Sequence, residues 1–504
     1  MQTLVIFGAS GDLTSRKLIP ALYRLHIKKR LPEPVRIFGF SRTSMSDDDW
    51  RGKLRESTAG FLGTAFDGSE WDAFAPSIHY QPGDIGDSQS FTALESRLAE
   101  GESGRVNGGV DGQVTNRLYY LSTAPRFYEQ VVHQLGAAGM ANESKTASRR
   151  VVVEKPFGTD LAGARALSAS IHKVFEERQI YRIDHYLGKE TVNNVLVLRF
   201  ANTIFEPVWN RNYIDHIQIT ANEDVLVGRR AAYYETAGVL RDMFQNHLLQ
   251  ILTFLTMEAP SRFEAKALRD EKVKVLQAIR PMTPEEIARD TFRGQYRTYR
   301  DEPGVAADSR TATFAAVKLR IDNWRWKDVP IFLRSGKGMS CRTTQILVQF
   351  RQPPHSMFEC AGGGSGFPLH ETSPHETSPH EANRLLIQVQ PAEGIRIHFL
   401  TKVPDADMRM RMTELNFNFR ESYQGEMPEA YERLLLDAML GDASLFARSD
   451  EVEAAWSIID PIQSAWDRDA HAPAFYETGT WGPATSEEWI AHHGARWFDS
   501  CPVV

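Results

Sequence analysis

The sequence of 504 residues predicts two joined bodies, a doubly wound parallel α/β sheet at the N-terminus and a larger α+β domain with a mainly antiparallel sheet. Three observations lead there. The length exceeds what one hydrophobic core organises, and 42% apolar content can build two. Up to residue 178, short apolar runs alternate with helical periodicity, the pattern of parallel strands joined by helices. Beyond it the apolar runs lengthen and alternate with polar residues, as in strands with one solvated face.

Taken in order, residues 3–7 form an apolar run that leads into Gly8-Ala9-Ser10-Gly11-Asp12-Leu13, and helical spacing follows through Leu18, Ala21, Leu22 and Leu25. Strand, glycine turn and helix in that succession let a backbone approach a pyrophosphate seated on a helix N-terminus. The spacing is G-x-x-G, shorter than the full dinucleotide fingerprint, so a tight turn without a ligand is the competing reading. A second strand, 35–40, ends in Ser41-Arg42. An acid at this place would bond the ribose 2′-OH of NAD, whereas Arg42 can hold a 2′-phosphate with two hydrogen bonds. NADP is therefore expected, with NAD the weaker alternative.

Further strands are expected at 78–81, 118–122 and 151–154, with helices at 88–98, 125–135 and 159–175. Glu154-Lys155-Pro156-Phe157-Gly158 falls at the carboxyl end of the fifth strand, where such sheets bind ligands, which places Lys155 toward nicotinamide and substrate. A solvated lysine in a Pro-Gly turn competes with that reading.

Residues 182–190 read RIDHYLGKE and precede a run with helical spacing, Val192, Val195, Leu196, Leu198 and Phe200. Residues 188–191 would be its first turn, where free N–H groups and the helix dipole favour an anion. His185 and Lys189 stand four apart and, if the turn is already helical, converge on one dianion such as a phosphate ester. A solvated helix start with a buried Asp is the plainer alternative.

In the second body, strands are expected at 214–220, 313–319, 346–350, 385–389 and 395–400, and one long helix at 231–257. On an α-helix Asp242 and His247 stand roughly 140° apart, so a carboxylate partner for His247 has to come from elsewhere, and Asp184 is the candidate. A histidine on an otherwise apolar helix also reads as a satisfied core residue. Lys337 and Arg342 flank a glycine-rich turn, either closing over a sugar phosphate or forming a basic hairpin. Residues 355–382 read as a flexible loop insertion. It contains His370, His375 and His380 five apart, a spacing that presets no ligand geometry, so no metal is expected. Helices at 428–440 and 451–459 follow.

A net charge of -7 leaves no electrostatic footprint for nucleic acid, so any anion needs a local site. Cys341, Cys360 and Cys501 include no CxxC pair, which argues against a disulfide framework or a zinc site and fits a reducing, cytoplasmic setting. No signal peptide or membrane helix is indicated.

Together, GASGDL, EKPFG, RIDHYLGKE, RDMFQNHLLQ, WRWKDVPIFLRSGK and PEAYERLLLDAMLGD resemble the glucose-6-phosphate dehydrogenase family over almost the whole chain. The resemblance implies a Rossmann-like dinucleotide-binding domain over 1–178. It implies a domain over 179–504 for substrate binding and for assembly into a homodimer or homotetramer. It also implies oxidation of C1 of glucose 6-phosphate to 6-phosphogluconolactone with hydride transfer to NADP, the first step of the oxidative pentose phosphate pathway. By matched position His247 is the general base and Asp184 its orienting carboxylate. His185, Tyr186 and Lys189 look like the phosphate-binding set, and Lys155, Glu223, Asp242, Lys337 and Arg342 match positions that touch the sugar or its phosphate. Gly8, Ala9, Ser10, Gly11, Asp12, Leu13, Arg42 and Tyr120 match the cofactor site, to which Lys155 also belongs, and Lys17 lies near both ligands. Thr14-Ser15-Arg16 departs from the Lys-rich helix start of many members. Thr343 stands where animal members often carry a Lys, so their second, structural NADP site is not expected. Two rivals remain at this level. A dehydrogenase of an unphosphorylated sugar would not need His185 and Lys189, and a non-catalytic binding protein would be marked by loss of the base or the phosphate ligands.

Overall fold

The computed structural model describes residues 1–102, 115–355, 382–405, 408, 410–423 and 427–501. The expected insertion at 355–382, with its three histidines and Cys360, lies outside the described residues except for its two end positions. By internal contacts the chain forms two compact units. The first comprises Met1–Glu190, Pro260–Val273 and Pro428–Trp456, and the second Thr191–Ala259, Lys274–Met427 and Ser457–Val504.

In the first unit six strands, β1 (Gln2–Phe7), β2 (Val35–Ser41), β3 (Ile78–Pro82), β4 (Asn116–Leu121), β5 (Arg149–Val153) and β6 (Ile180–Ile183), pair in parallel in the order 3-2-1-4-5-6. This is the order of a doubly wound sheet. β1 is buried along its whole length, with Gln2 in register with Val35 on one side and Asn116 on the other. Its apolar run is continuous because helices cover both faces of such a sheet. Phe7 packs edge-on to Phe40 at 5.3 Å and stacks on Phe91 at 5.7 Å. Each such side chain contributes roughly 1.5–3 kcal/mol by leaving water.

The sequence does not show β6 as a strand, because Tyr181 and Arg182 interrupt its apolar run. Arg182 is nonetheless 2% exposed, since Glu177 accepts two hydrogen bonds from its guanidinium at 2.6 and 3.2 Å. By internal contacts this stretch of the unit runs to Glu190. Two later segments that the sequence assigns to the second domain also belong here. Lys272 and Glu451, both fully buried, pair at 2.7 Å, and Arg448 reaches Asp270 at 2.6 Å. The short strand Phe446–Ala447 adds antiparallel to β6.

In the second unit β7 (Ile214–Asn222), β8 (Thr291–Tyr296), β9 (Phe314–Leu319), β10 (Ile331–Gly336), β11 (Thr343–Phe350), β12 (Arg384–Gln390), β13 (Gly394–Lys402) and β14 (Met410–Asn418) build one sheet in the order 14-13-12-11-7-10-9-8, closed by Ala474–Tyr476. Antiparallel pairs predominate, and β7 runs parallel to β10. The single long helix expected at 231–257 is broken. Gly238 takes φ 57° and ψ -179°, a conformation open to glycine, so Ala231–Val239 ends there and a new helical run begins. Its first nine residues, Leu240–Leu248, are wound as a π-helix.

The cysteines correct an expectation. Cys341 and Cys501 are disulfide-bonded across a separation of 160 residues. The spacing argument fails because the C-terminal segment folds back on the sheet. Asp499 pairs with buried Arg334 at 2.6 Å, and the Phe498 carbonyl accepts from Gln345 on β11 at 2.8 Å. Among the described residues no helix is long and apolar enough to cross a membrane.

Candidate functional site

In the first unit β1 ends at Phe7 and the chain turns at Gly8 with φ +90°. A Cβ there would stand 2.1 Å from the Ser122 carbonyl oxygen at the end of β4, so only glycine fits. The Gly8 N–H donates to the Phe40 carbonyl and the Gly11 N–H to the Gly8 carbonyl, both at 2.9 Å, which ties the turn to the end of β2. A cleft of about 730 Å³ opens here, lined among others by Gly8, Ser10, Gly11, Ser41, Arg42, Thr43 and Ser122. Its place at the carboxyl edge of the parallel strands and its glycine wall suit a dinucleotide. Arg42 is exposed.

The rest of the expected cofactor set is placed differently. Ala9 is buried under Gly39, where an added Cβ would approach its own Cβ to 2.7 Å. Asp12 and Leu13 begin the following helix, with Asp12 paired to Arg16 at 2.6 Å, and Lys17 pairs with Glu429. Tyr120 departs most from expectation. It is fully buried within the sheet and its hydroxyl donates to Glu154 at 2.5 Å, so it supports β5 instead of lining the cleft.

Lys155 follows Glu154 at the end of β5. The Glu154 carboxylate accepts at Oε1 from the Tyr120 hydroxyl and from the Tyr431 hydroxyl at 3.2 Å. Burial pushes its carboxyl above the usual range, against the downward pull of the two hydroxyls and of Lys155. Burial next to Glu154 likewise pushes the Tyr431 hydroxyl up.

The RIDHYLGKE segment forms a turn and not the start of a helix, which begins only at Glu190. Asp184, 2% exposed, accepts the Tyr186 N–H at 2.9 Å, and its carbonyl accepts the Leu187 N–H at 3.0 Å. The Lys189 N–H then bonds the Tyr186 carbonyl at 3.2 Å. His185 and Lys189 are each carried to the Tyr186 ring by these consecutive turns. The His185 ring lies 5.1 Å from the Tyr186 ring, and the Lys189 ammonium 5.4 Å from it. Gly188 is required, since a Cβ would meet the Ala430 carbonyl oxygen at 2.6 Å.

In the second unit Lys337, 7% exposed, pairs with Glu223 and lies 3.5 Å from Asp242 and 5.3 Å from the Tyr234 ring. The Glu223 N–H donates to the Gly336 carbonyl at 2.9 Å, so the ends of β7 and β10 present this pair together. Burial, with Asp242 next in weight, drives the Tyr234 hydroxyl well up. His247 is 1% exposed, and its backbone N–H is taken by the Asn246 side chain at 2.6 Å. Because Leu240–Leu248 is π-helical, with more residues per turn than an α-helix, the 140° separation of Asp242 and His247 argued from an α-helix does not hold. Arg342 is exposed and lies just before β11. Sequence reasoning missed Glu154, Tyr431 and Tyr234. Their only signal is membership in conspicuous segments, and a tyrosine on a helix reads equally as packing.

A doubly wound sheet with a glycine-walled cleft at its carboxyl edge defines the class, a protein with a dinucleotide-binding fold. Residues 5–194 match the family model described as glucose-6-phosphate dehydrogenase, NAD binding domain, and residues 196–498 match the C-terminal domain of the same enzyme. The chain belongs to the glucose-6-phosphate dehydrogenase family. It is 41% identical to the glucose-6-phosphate 1-dehydrogenase of Rhizobium meliloti (strain 1021), over 98% of this chain and 97% of that protein. It is 42% identical to that of Aggregatibacter actinomycetemcomitans, over 98% and 96%. A solved glucose-6-phosphate dehydrogenase in complex with its substrate glucose-6-phosphate superposes with a TM-score of 0.88 at 33% identity, covering 99% of this chain and 98% of that one. The Mycobacterium avium enzyme gives 0.83 at 33% identity, covering 100% and 99%.

Proposed function

We propose that this chain oxidises C1 of glucose 6-phosphate to 6-phosphogluconolactone, with NADP as the preferred cofactor. The observation that carries the reading is the 184–189 turn, which offers an imidazole, His185, and an ammonium, Lys189, against the Tyr186 ring beside a buried carboxylate, Asp184. A dehydrogenase of plain sugars has no use for that arrangement.

His185, Tyr186 and Lys189 take the phosphate. Glu223, Asp242 and Lys337 bond the sugar hydroxyls and ring oxygen, with Lys155 and Arg342 completing the grip. Contacts far from C1 orient it, so binding energy made at the phosphate supports the chemical step. His247 removes the C1 hydroxyl proton, and Asp184 orients the ring and stabilises the imidazolium that forms. The nicotinamide accepts the hydride that leaves C1. Gly8, Ser10 and Gly11 hold the pyrophosphate. Arg42, with the hydroxyls of Ser41 and Thr43, selects the 2′-phosphate, which supports NADP over NAD.

The chain works as a homo-oligomer in the cytoplasm. Phosphorylated sugars are charged and stay where they are made, which favours that compartment. The Cys341–Cys501 bond argues the other way, and thiol titration of protein from freshly lysed cells decides between them. Initial rates with glucose 6-phosphate, or with glucose, and either NADP or NAD test the whole reading. Turnover is expected only with the phosphorylated sugar and faster with NADP. Equal rates on glucose would overturn the substrate assignment, and a preference for NAD the role of Arg42.

A further inference from the structure

Three consecutive residues at the start of the helix Ala430–Leu440 each touch a different element of the first unit. Glu429 pairs with Lys17, the Ala430 carbonyl closes on Gly188 so tightly that no side chain fits there, and the Tyr431 hydroxyl donates to Glu154 at 3.2 Å. The same Glu154 Oε1 takes the hydroxyl of fully buried Tyr120 at 2.5 Å. We propose that Glu154, held at this oxygen by Tyr120 and Tyr431, is the positioning residue for Lys155. This rests on the role given to Lys155 above.

A carboxylate oxygen that accepts hydroxyls from two distant stretches of chain is held in one orientation. The peptide that joins Glu154 to Lys155 is thereby held too, and with it the direction in which the lysine side chain leaves the backbone. Glu154 itself is occupied by these donors and does no chemistry. Because the helix that supplies Tyr431 also backs Gly188, the end of β5 and the 184–189 turn are set in register by the same helical turn.

The test is a double-mutant cycle. Tyr431→Phe removes one donor and leaves the ring in place. It is expected to lower kcat about three- to ten-fold, as for loss of one hydrogen bond to a charged group, with KM for glucose 6-phosphate changed less than about two-fold. Glu154→Gln, which replaces the charged acceptor of both hydroxyls by a neutral amide, should do the same or more. In a Lys155→Met background neither change should lower kcat further, because a residue acting through Lys155 has nothing left to act on. An undiminished loss in that background shows an effect independent of Lys155 and overturns the proposal. So does wild-type kcat in both single variants when Lys155→Met alone is impaired. Wild-type kinetics of Lys155→Met itself would remove the assigned role of Lys155, and the clamp with it. Tyr120→Phe, with melting temperature followed throughout, repeats the cycle with the other donor to the same oxygen and separates positioning from loss of fold.

Discussion

His247 shows what a single residue type announces and what it conceals. An imidazole in QNH reads as a base or as a core residue, and its 1% exposure fits both. Replacing His247 by Asn keeps a polar group of similar reach but no base, so kcat should fall by about 10² to 10⁴ with substrate binding within a few-fold. Initial rates and a binding titration check this, and near-normal turnover removes His247 from the mechanism. Gly8 and Arg42 were legible as residues, because positive φ at a strand-to-helix turn and charge at the end of the second strand are local properties. Tyr120 was not. Whether a strand tyrosine faces a ligand or a buried carboxylate depends on what packs above it, here Glu154.

At the scale of elements, two features arose from contacts between distant segments. The C-terminal segment is joined to the turn between β10 and β11 through Cys341 and Cys501. Cys501→Ser should lower the unfolding free energy by about 2–4 kcal/mol in denaturant titration under oxidising conditions, and reduction of the wild-type protein should match it. Identical stability of variant and oxidised wild type would show that the bond contributes nothing. The second feature is Asp290, fully buried where the helix Pro284–Asp290 meets β8. Burial pushes its carboxyl up, but the guanidinium groups of Arg289 at 2.8 Å and Arg320 at 2.7 Å outweigh that, and Lys318 adds to them, so it falls to about 2. His493 lies 3.7 Å away on the other side. A depressed acid contributes stability that is present above its unfolded value, near 4, and is lost as pH falls toward 2. Thermal unfolding of the wild type should therefore lose ground between pH 4 and 2 in a way that Asp290→Asn does not. Parallel acid profiles would contradict this. Strand positions were readable wherever apolar runs were unbroken, whereas β6 was hidden by an arginine that only Glu177 makes tolerable.

At the scale of the whole molecule, the sheet of the second unit ends in strands that are poorly covered. β13 is partly exposed along most of its length, and Leu415 and Phe417 on β14 are 61% and 45% exposed. An apolar sheet face of this kind suits a second copy of the chain. Light scattering should give at least twice the 57.0 kDa of one chain, and Leu415→Lys with Phe417→Lys should lower that mass. A monomer at working concentration would refute it. The sequence by itself determined the doubly wound sheet, its glycine turn and the antiparallel second sheet, because periodicity and turn chemistry are written within a few residues of one another. Only the tertiary structure decided that residues 260–273 and 428–456 complete the first unit, that Glu154 is held by two tyrosines, and that two cysteines 160 residues apart are bonded. Each of these depends on which distant segments share a buried surface, and a one-dimensional pattern carries no record of that.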